Sequence, residues 1–538
     1  MSYPVVADHS FAAPGWVKDT TPAPDVATKV PTTGDGGITD GGKVYTFHLR
    51  KGVDWNTKPA RQVTAADFVR EFKAFCNPAP GGFVGNLSYY AATIAGMRMY
   101  CKAEEAFFNK PKHHVTAANV ARFQNTHGIS GIIALNPLTI RFRLLRPAGD
   151  FLYFLAVPFA SAQPVEYDRY LPNSLQLDQH TISDGPYQIT SYVPGRSIVL
   201  KRNRAWHQSA DPIRHQYVSK ISVTIGITST STEISDLRHG RYDLMDDLSV
   251  PVKAIPRLRK DAGFRIWPSN SIIPYLTFNL RSPNARHAIG NLDVRKAIEF
   301  GVNKMAVSRI LGGPAVAPVL NSAQPPGNLG FVPGSPYPSP GNRGSVAKCK
   351  AELARSGHGK SLVLNYAYIN QPDQAAIFRA IKASLQPCGI HLKGHPSSGS
   401  AFFIDLGNAP VNNLPGTFDL ATPGWLPDWF GDNGRTVLDP LFRTHCVLNT
   451  NNYGCYSNRK VDRLMTEAET ATSYAKAGLD WTQAEKQIMA DAAVVPLIDG
   501  QSPILASSRV READLPGGIV FAPNIGGPDV TNLWVKKR

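Results

Sequence analysis

Hydrophobic and polar residues alternate along several short stretches of the chain, and a period of two is typical of half-buried strands. The stretches "KVYTFHLR" (43–50) and "LTIRFRLL" (138–145) both follow this pattern. Within residues 183–203, "YQITSYV" and "SIVLKRN" flank Pro194-Gly195. A turn dipeptide between two alternating stretches predicts a β-hairpin at that position.

Other stretches repeat their apolar residues every three or four positions, as one face of a helix does. Phe68, Phe72 and Phe75 recur at this spacing, and Thr64 and Asp67 just before them have the spacing of a capping box. We interpret this aromatic stripe as the buried face of an amphipathic helix rather than as a cofactor site.

Strand-like and helix-like stretches are mixed along the whole chain, without an internal repeat. "LVLNYAY", "DQAAIFRAIKASLQPCG" and "IHLKGH" follow one another as strand, helix and strand. That order predicts a parallel α/β unit. Further on, "KVDRLMTEAETA" and "TQAEKQIMADAA" predict helices, and "VVPLIDG" and "SPILASS" predict strands. The predicted fold class is therefore α/β.

Composition sets the scale of the fold. The 538 residues are 43% hydrophobic and 18% charged, which is a globular composition with room for several domains. The 57 Lys and Arg exceed the 41 Asp and Glu by 16, but they are spread along the chain. A nucleic-acid-binding protein clusters such residues, so we expect no nucleic-acid partner. The excess charge is interpreted as a source of solubility or of attraction to anionic surfaces.

The cysteines show no CxxC pair and no Cys/His cluster with zinc spacing, so we expect no metal and no cofactor. Six cysteines permit 15 pairings, or they are six buried free thiols. We predict pairing in chain order, because each bond would then staple one local segment. An even count favours an oxidising compartment. The three predicted pairs are Cys76 with Cys101, Cys349 with Cys388, and Cys446 with Cys455.

Catalytic signatures are missing from the sequence. It contains neither HExxH nor GxSxG. "GHGKS" (357–361) is similar to the end of a phosphate loop, but Ala354 stands where that loop needs its first glycine. The segment also precedes a predicted strand instead of a helix, so we interpret it as a turn. The sequence predicts a protein that is not an enzyme.

The beginning of the chain bears on its location. An exported protein is expected to start with a signal peptide, and "MSYPVVADHSFAAPGW" has neither the basic nor the apolar region of one. The longest apolar stretch, 151–162, is too short to span a bilayer. The chain is expected either to stay inside the cell or to lack its true beginning.

One short segment concentrates candidate binding chemistry. "GWLPDWFGD" (424–432) places Asp428 and Asp432 beside Trp425 and Trp429 in a strongly basic chain. Two carboxylates among aromatic rings suit a site that accepts a cation. The alternative is a solvated turn that happens to carry aromatic residues.

Five stretches, in order, resemble one family, the extracellular solute-binding proteins of family 5, which include the oligopeptide- and dipeptide-binding components of ABC importers. These stretches are "YTFHLRKGVDWNTKPARQVTAADFV" (45–69), "SDGPYQITSYVPGRSIVLKRNRAWH" (183–207), "YLTFNL" with "DVRKAIEFGVNK" (275–304), "IFRAIKASLQPCGIHL", and "FDLATPGWLPDW".

The resemblance implies a fold and a domain plan. The family fold is a periplasmic-binding-protein type II fold, with two α/β lobes and an extra domain inserted in the first. The first lobe would combine 1–43, 179–272 and 495–538, the inserted domain would be 44–178, and the second lobe 273–494. Only 44 residues precede Tyr45, fewer than the family pattern has, so the first lobe is expected to be N-terminally short.

The same resemblance implies a function. The chain would bind short peptides in a cleft between its lobes and deliver them to an ABC permease. It would be an extracytoplasmic monomer that meets the membrane only through the transporter. The alternatives are another solute, such as an oligosaccharide, a metal chelate or a peptide-like antibiotic, and an intracellular receptor without a transport role.

Site residues are implied position by position. Asp428 would pair with the ligand's α-ammonium, although it could instead cap a turn. The peptide backbone would pair with extended segments. Asp432 lies outside the family pattern and is expected to be a solvated turn residue. The other implied ligand-binding residues are Gly424, Trp425 and Trp429 around the first pocket, Gly185 and Tyr187 in one extended segment, and Asn279 in another. Trp425 could instead be core, and the chain at Gly185 could be only the beginning of a strand.

Overall fold

The computed structural model describes most of the chain in two compact units. Met1, 21–245 and the described residues from Leu505 onward form the first unit, and the described residues of 250–504 form the second. The described residues are 1, 21–77, 87–245, 250–261, 263–268, 271–359, 361–412, 417–429, 431–448, 450–512, 521–522, 527–528 and 530–536.

The first unit is built largely on two antiparallel sheets. Its helices and strands up to residue 245 are β1 (Ile38–Thr39), β2 (Val44–His48), β3 (Asp54–Trp55), β4 (Arg61–Gln62), α1 (Ala65–Ala74), α2 (Leu87–Thr93), α3 (Met97–Phe108), α4 (Ala117–Thr126), β5 (Ile132–Asn136), β6 (Thr139–Arg143), α5 (Phe151–Phe154), α6 (Leu175–Asp178), β7 (Tyr187–Val193), β8 (Ser197–Arg202), β9 (Lys220–Thr224) and α7 (Thr230–Arg238). One sheet has the order β1-β2-β6-β5 and the other the order β7-β8-β9, while β3 and β4 form a separate pair.

The core beside the first of these sheets is aromatic. The ring of Phe72 from α1 lies 5.3 Å from that of Phe142 on β6 and 5.4 Å from that of Tyr90. The predicted capping box is confirmed, because the Thr64 N–H donates to Asp67 Oδ2 at 2.8 Å and both halves of the box are present. The aromatic stripe therefore serves packing, with Phe72 and Phe75 buried.

The second unit contains the parallel α/β arrangement. In chain order its elements are α8 (Ile255–Leu258), β10 (Phe264–Pro268), β11 (Tyr275–Phe278), α9 (Leu292–Gly301), α10 (Lys304–Ile310), α11 (Val346–Arg355), β12 (Leu362–Ile369), α12 (Pro372–Leu385), β13 (Ile390–Ser397), α13 (Gly399–Asn412), β14 (Leu420–Ala421), α14 (Gly434–Phe442), α15 (Arg459–Glu469), α16 (Tyr474–Ala490), β15 (Val494–Pro496) and β16 (Gln501–Leu505). Its main sheet has the order β13-β12-β14-β11-β15, and β10 pairs with β16.

The predicted strand–helix–strand unit is confirmed in this sheet. Strands β12 and β13 run parallel from Leu362 opposite Ile390 to Ile369 opposite Ser397, and α12 connects them. Ile377, Ile381 and Leu385 of α12 are buried in the core below the sheet. Strand β12 begins directly after "GHGKS", as expected for a turn that leads into a strand instead of a phosphate loop.

The predicted hairpin is confirmed, with Tyr187 opposite Arg202 and Val193 opposite Ser197. After α7, the described residues make an isolated bridge between Leu244 and Ala506. The chain end then adds β17 (Val510–Glu512), β18 (Phe521–Ala522), β19 (Gly527–Pro528) and β20 (Leu533–Val535), with β17 paired to β20 and β18 to β19.

The six cysteines form three disulfides, which confirms the pairing in chain order. Cys76–Cys101 lies in the first unit, and Cys349–Cys388 and Cys446–Cys455 lie in the second. The alternative of six free thiols is therefore wrong. Among the described residues, no helix combines the length and the apolar character that a membrane span requires. The three-part domain plan stays a prediction.

Candidate ligand-binding site

The residues of "GWLPDW" follow the carboxyl end of β14 in the main sheet of the second unit. We call the side of the sheet at which the parallel strands end its carboxyl edge. Strands β12, β13 and β14 run parallel, so their carboxyl ends meet at this edge. Strand β15 points the same way, because both β14 and β15 are antiparallel to β11. In open α/β sheets, ligands bind at the carboxyl ends of the strands. The sheet therefore presents Trp425 where ligand chemistry is expected.

Gly424 and Trp425 are clamped to the segment that leads into β11. The main chains of Trp425 and Ile272 exchange two hydrogen bonds of 3.0 Å each, and Trp425 Nε1 donates to the Thr436 carbonyl at 2.5 Å. A Cβ on Gly424 would lie 2.9 Å from Ile273 Cγ1, so the site needs glycine. Trp425 is half-buried and packs against the apolar core of the unit.

We name residues 424–429 and 431–433 the Trp loop, and indole groups hold these residues in place. Trp429 is only 1% exposed, and its Nε1 donates to the Asp432 carbonyl at 2.7 Å. Asp432 is 4% exposed, and its Oδ1 accepts a 3.1 Å hydrogen bond from Trp481 Nε1. The expectation that Asp432 is a solvated turn residue is therefore wrong. It is a buried acceptor that ties the Trp loop to α16.

A network of amide side chains holds the end of the Trp loop. Asn433 Nδ2 donates to Asn328 Oδ1 at 2.6 Å and to the Trp429 carbonyl at 3.1 Å. Gln324 Nε2 donates to Asn433 Oδ1 at 2.9 Å. The next residue, Gly434, begins α14, and a Cβ there would lie 2.3 Å from the Trp481 ring. This part of the loop is therefore closely packed and has little room for change.

Asp428 lies on the bend of this fixed loop. It is half-buried, between Leu426, which is 58% exposed, and the buried Trp429. Gly424, Trp425, Asp428 and Trp429 thus lie together on one short loop at the carboxyl edge of the sheet. Their roles toward a ligand stay predictions.

Asn279 does not join these residues. It follows β11, which runs antiparallel to β14, so it lies at the opposite edge of the sheet and donates its N–H to the Asp419 carbonyl at 2.9 Å. Six residues of nearly extended chain lie between it and Ile272, which corresponds to roughly 20 Å. Its Nδ2 donates to the Phe418 carbonyl at 3.0 Å, so the buried amide serves the packing of the sheet.

Strand β11 also offers no free edge to a peptide. Thr277 and Phe278 pair with β14, and Tyr275, Leu276 and Thr277 pair with β15 on the other side. A peptide cannot add to a strand whose two edges are already paired. The expectation that the strand carrying Asn279 pairs with the peptide backbone is therefore wrong.

Asp419 is a structural residue that the sequence interpretation missed. Its Oδ1 accepts from Ser282 Oγ at 2.5 Å and its Oδ2 from the Asn365 N–H at 2.7 Å. Burial raises the pKa of this carboxyl, and the hydrogen bonds oppose that rise. The sequence does contain a signal for this role, because Asp419 is an acidic residue directly before the buried strand β14. Asp419 joins β12, β14 and the chain after β11 at the edge opposite the Trp loop.

Gly185 and Tyr187 lie in the first unit, where both line a cavity of about 440 Å³. Their own polar groups are largely engaged. The Gly185 carbonyl accepts from Asn203 Nδ2 at 2.9 Å, and the Tyr187 carbonyl accepts from Ser183 Oγ at 2.7 Å. Strand β7, which begins at Tyr187, is at the edge of its sheet. The volume falls in the range of small-ligand pockets.

The cavity in the first unit is acidic. Arg214 holds Asp25 with two hydrogen bonds of 2.7 and 2.9 Å. Burial raises the pKa of Asp25, but the arginine outweighs it and the net pKa is lowered. Asp184 also lines the cavity, and burial raises its pKa to about 6 despite the charge of Arg214. With Asp54 and Asp211, four aspartates therefore line the cavity together with the guanidinium of Arg214.

The model of a known family matches residues 21–443, and its description is "Bacterial extracellular solute-binding proteins, family 5 Middle". The chain belongs to this family. The match extends over most of the chain and includes β11, β12, β13 and β14, four of the five strands of the sheet that carries the Trp loop. Within the described part of the chain, no group of three or more His, Cys, Asp or Glu side chains is arranged to hold a metal ion.

Individual relatives agree with the family assignment. The chain is 23% identical over 514 residues to the peptide transport periplasmic protein SapA of Haemophilus influenzae, covering 92% of this chain and 83% of that protein. Its fold is similar to that of clavulanic acid biosynthesis oligopeptide binding protein 2, with a TM-score of 0.81, 20% identity, and coverage of 97% and 88% of the two chains.

The structure of a third similar protein was solved with a peptide bound. It is the ABC transporter-associated periplasmic binding protein DppA of Helicobacter pylori, in complex with the peptide STSA. The TM-score is 0.67 and the identity 22%, with 100% of this chain and 92% of that chain covered. Members of the family are binding proteins, and the predicted α/β fold of the periplasmic-binding-protein kind is confirmed.

Proposed function

We propose that this protein is the substrate-binding component of an ABC importer, and that it binds short peptides and delivers them to a permease. The observation that supports this proposal best is the Trp loop, a closely packed and hydrogen-bonded segment that carries Asp428 at the carboxyl ends of the parallel strands. The relative from Haemophilus influenzae is a peptide transport protein, and the one from Helicobacter pylori was solved with a peptide.

Asp428 is the proposed anchor for the peptide's α-ammonium, with Trp425 and Trp429 beside it. A charge-assisted hydrogen bond of this kind contributes about 1.5–3 kcal/mol. Gly185 and Tyr187 remain proposed contacts of the ligand, because they line the cavity in the first unit. The protein is proposed to act as an extracytoplasmic monomer, and its three disulfides support an oxidising location.

Isothermal titration calorimetry with tri-alanine and with N-acetylated tri-alanine tests the anchor. Acetylation removes the ammonium, so it should weaken binding to the unaltered protein by about tenfold or more. In Asp428→Asn the two peptides should bind with nearly equal affinity. Asp405→Asn, which changes an exposed carboxylate of the same unit, is the matched control and should behave like the unaltered protein.

Each contrary result has its own meaning. If the unaltered protein prefers the free peptide and Asp428→Asn keeps that preference, peptide binding stands but the anchor is another residue. If no peptide of a mixed library binds, the peptide assignment fails. Native mass spectrometry of the purified protein would then identify a co-purified sugar, chelate or antibiotic-like ligand.

A further inference from the structure

A second carboxylate lies on the same edge of the sheet as the Trp loop. Asp499 follows β15, whose carboxyl end meets this edge. The segment around Ile272 lies between the Trp loop and Asp499. On one side, Ile272 is hydrogen-bonded to Trp425. On the other side, the Ile273 N–H donates to the Ile498 carbonyl at 3.1 Å. Neighbouring strands lie about 4.8 Å apart, so roughly 10 Å separates the main chains at Trp425 and Asp499.

The three segments at this edge are held in fixed positions. A Cβ on Gly424 would lie 2.9 Å from Ile273 Cγ1, and a Cβ on Gly500 would lie 2.8 Å from Ser271 Oγ. Glycine at both positions thus leaves room for the side chains of Ile273 and Ser271. On its other side, Asp499 donates its N–H to the Pro318 carbonyl at 3.0 Å. The position of Asp499 relative to Trp425 is therefore set by main-chain contacts.

The carboxylate of Asp499 is buried, and one of its two oxygens lacks a hydrogen bond among the described residues. The side chain is 6% exposed, and its Oδ2 accepts from Gln501 Nε2 at 3.0 Å. Among the residues that the structure describes, Oδ1 has no hydrogen-bond partner. Burial raises the pKa of Asp499 to about 7, and hydrogen bonds from the Ser271 N–H and from Gln501 oppose the rise. A buried oxygen without a donor is costly unless another group completes it.

Other buried carboxylates differ from Asp499 in their positions. Glu104 projects from α3 and Glu299 from α9, and both have oxygens without hydrogen bonds. Glu299 has a cation of its own, since Lys304 Nζ lies 3.7 Å away. Neither residue follows a strand of the sheet that carries the Trp loop. Asp499 alone of these three combines a buried oxygen without a hydrogen bond with a position at the carboxyl ends of the strands, where this fold class binds ligands.

The geometry points to Asp499 as a second ligand-binding residue, which takes the cationic side chain of a lysine- or arginine-containing peptide while the Trp loop holds another part of that peptide. This inference rests on the proposed function and narrows it to a substrate class. An ammonium or guanidinium group would supply the donor that Oδ1 lacks and would favour the ionised carboxylate. The roughly 10 Å separation corresponds to about three residues of extended peptide.

Matched tripeptides test this subsite. One set carries a single lysine at the first, second or third position among alanines, and the other set carries norleucine at the same positions. The unaltered protein should prefer lysine over norleucine by about tenfold at one of the three positions. Asp499→Asn, which keeps the shape of the side chain, should reduce that preference to nearly one. Asp405→Asn should leave it unchanged.

The possible outcomes distinguish a failure of the cationic subsite from a failure of the proposed peptide-binding function. A preference for lysine that survives in Asp499→Asn, or an equal loss of affinity for both tripeptides in that variant, would overturn the cationic subsite and leave peptide binding intact. Binding of norleucine peptides without any preference for lysine would do the same. No binding of any tripeptide would overturn the peptide assignment itself. Circular dichroism of Asp499→Asn shows that its fold is retained.

Discussion

Trp481 Nε1 donates a 3.1 Å hydrogen bond to Asp432 Oδ1 across 49 residues of sequence, and both side chains are buried. The bond joins the Trp loop to α16, which is the longest helix described in the second unit. Because Trp429 also donates to the main-chain carbonyl of Asp432 at 2.7 Å, one residue receives two indole N–H groups. The shape of the loop therefore depends on Asp432.

Replacing Asp432 with alanine should destabilise the protein. The variant leaves the buried Trp481 N–H without its acceptor, which costs about 1–3 kcal/mol of unfolding free energy. Urea titration followed by circular dichroism measures the change. Asp432→Asn keeps an oxygen acceptor and should lose less. An alanine variant as stable as the unaltered protein would show that this hydrogen bond has no role in holding the loop.

Gly434→Ala should also destabilise, because the new Cβ would lie 2.3 Å from the Trp481 ring. Overpacking of a tight core costs about 1–3 kcal/mol. Gly399→Ala is the matched control, since Gly399 also begins a helix and a Cβ there would meet no atom within 4 Å. That control should be neutral or slightly stabilising. Equal stabilities of the two variants would contradict the close packing at Gly434.

The disulfides should contribute unequally to stability. In the chain-entropy model, closing the 39-residue separation of Cys349 and Cys388 stabilises more than closing the 9-residue separation of Cys446 and Cys455, by about 1 kcal/mol. Paired Cys→Ala variants, compared by thermal unfolding, measure the two contributions. The reverse order of stabilities would show that native-state packing outweighs loop length at these bonds.

The pH dependence of stability should include a contribution from Glu485. Its Oε1 accepts from Ser322 Oγ at 2.8 Å and the Ala323 N–H at 3.2 Å, yet burial raises its pKa from 4.5 to about 7. The folded state then binds a proton more tightly than the unfolded state. This contribution is therefore fully present below pH 4.5 and is lost as the pH rises to about 7.

Glu485→Gln removes this titration and keeps an amide oxygen for the two donors. Stability of the variant should fall less between pH 4.5 and 7 than that of the unaltered protein, by about 1–3 kcal/mol. Urea midpoints measured across this range test the prediction. Parallel pH profiles for the two proteins would assign the pH dependence to other groups.

Local patterns predicted much of the fold. Alternation predicted β2, β6 and the hairpin of β7 and β8, and the order of the cysteines predicted their three bonds. These features depend on neighbours that are close in sequence. A resemblance over several motifs then supplied the family and, with it, the architecture that no single stretch specifies.

The sequence could not supply contacts that join distant segments. The family pattern leaves Asp432 out and so predicts a solvated turn residue, whereas Trp481, which is distant in sequence, hydrogen-bonds to it in the core. The family resemblance implies Asn279 as a ligand contact, but β14 and β15 already pair with both edges of its strand. No sequence pattern indicates a binding role for Asp499, because only the pairing of strands in the folded sheet brings it near Trp425.

All six cysteines bond within their own unit, so the peptide chain is the only covalent link between the two units. A change in the redox state of the surroundings would therefore act on each unit separately. Oxidation therefore stabilises each unit from within and forms no covalent cross-link between the two.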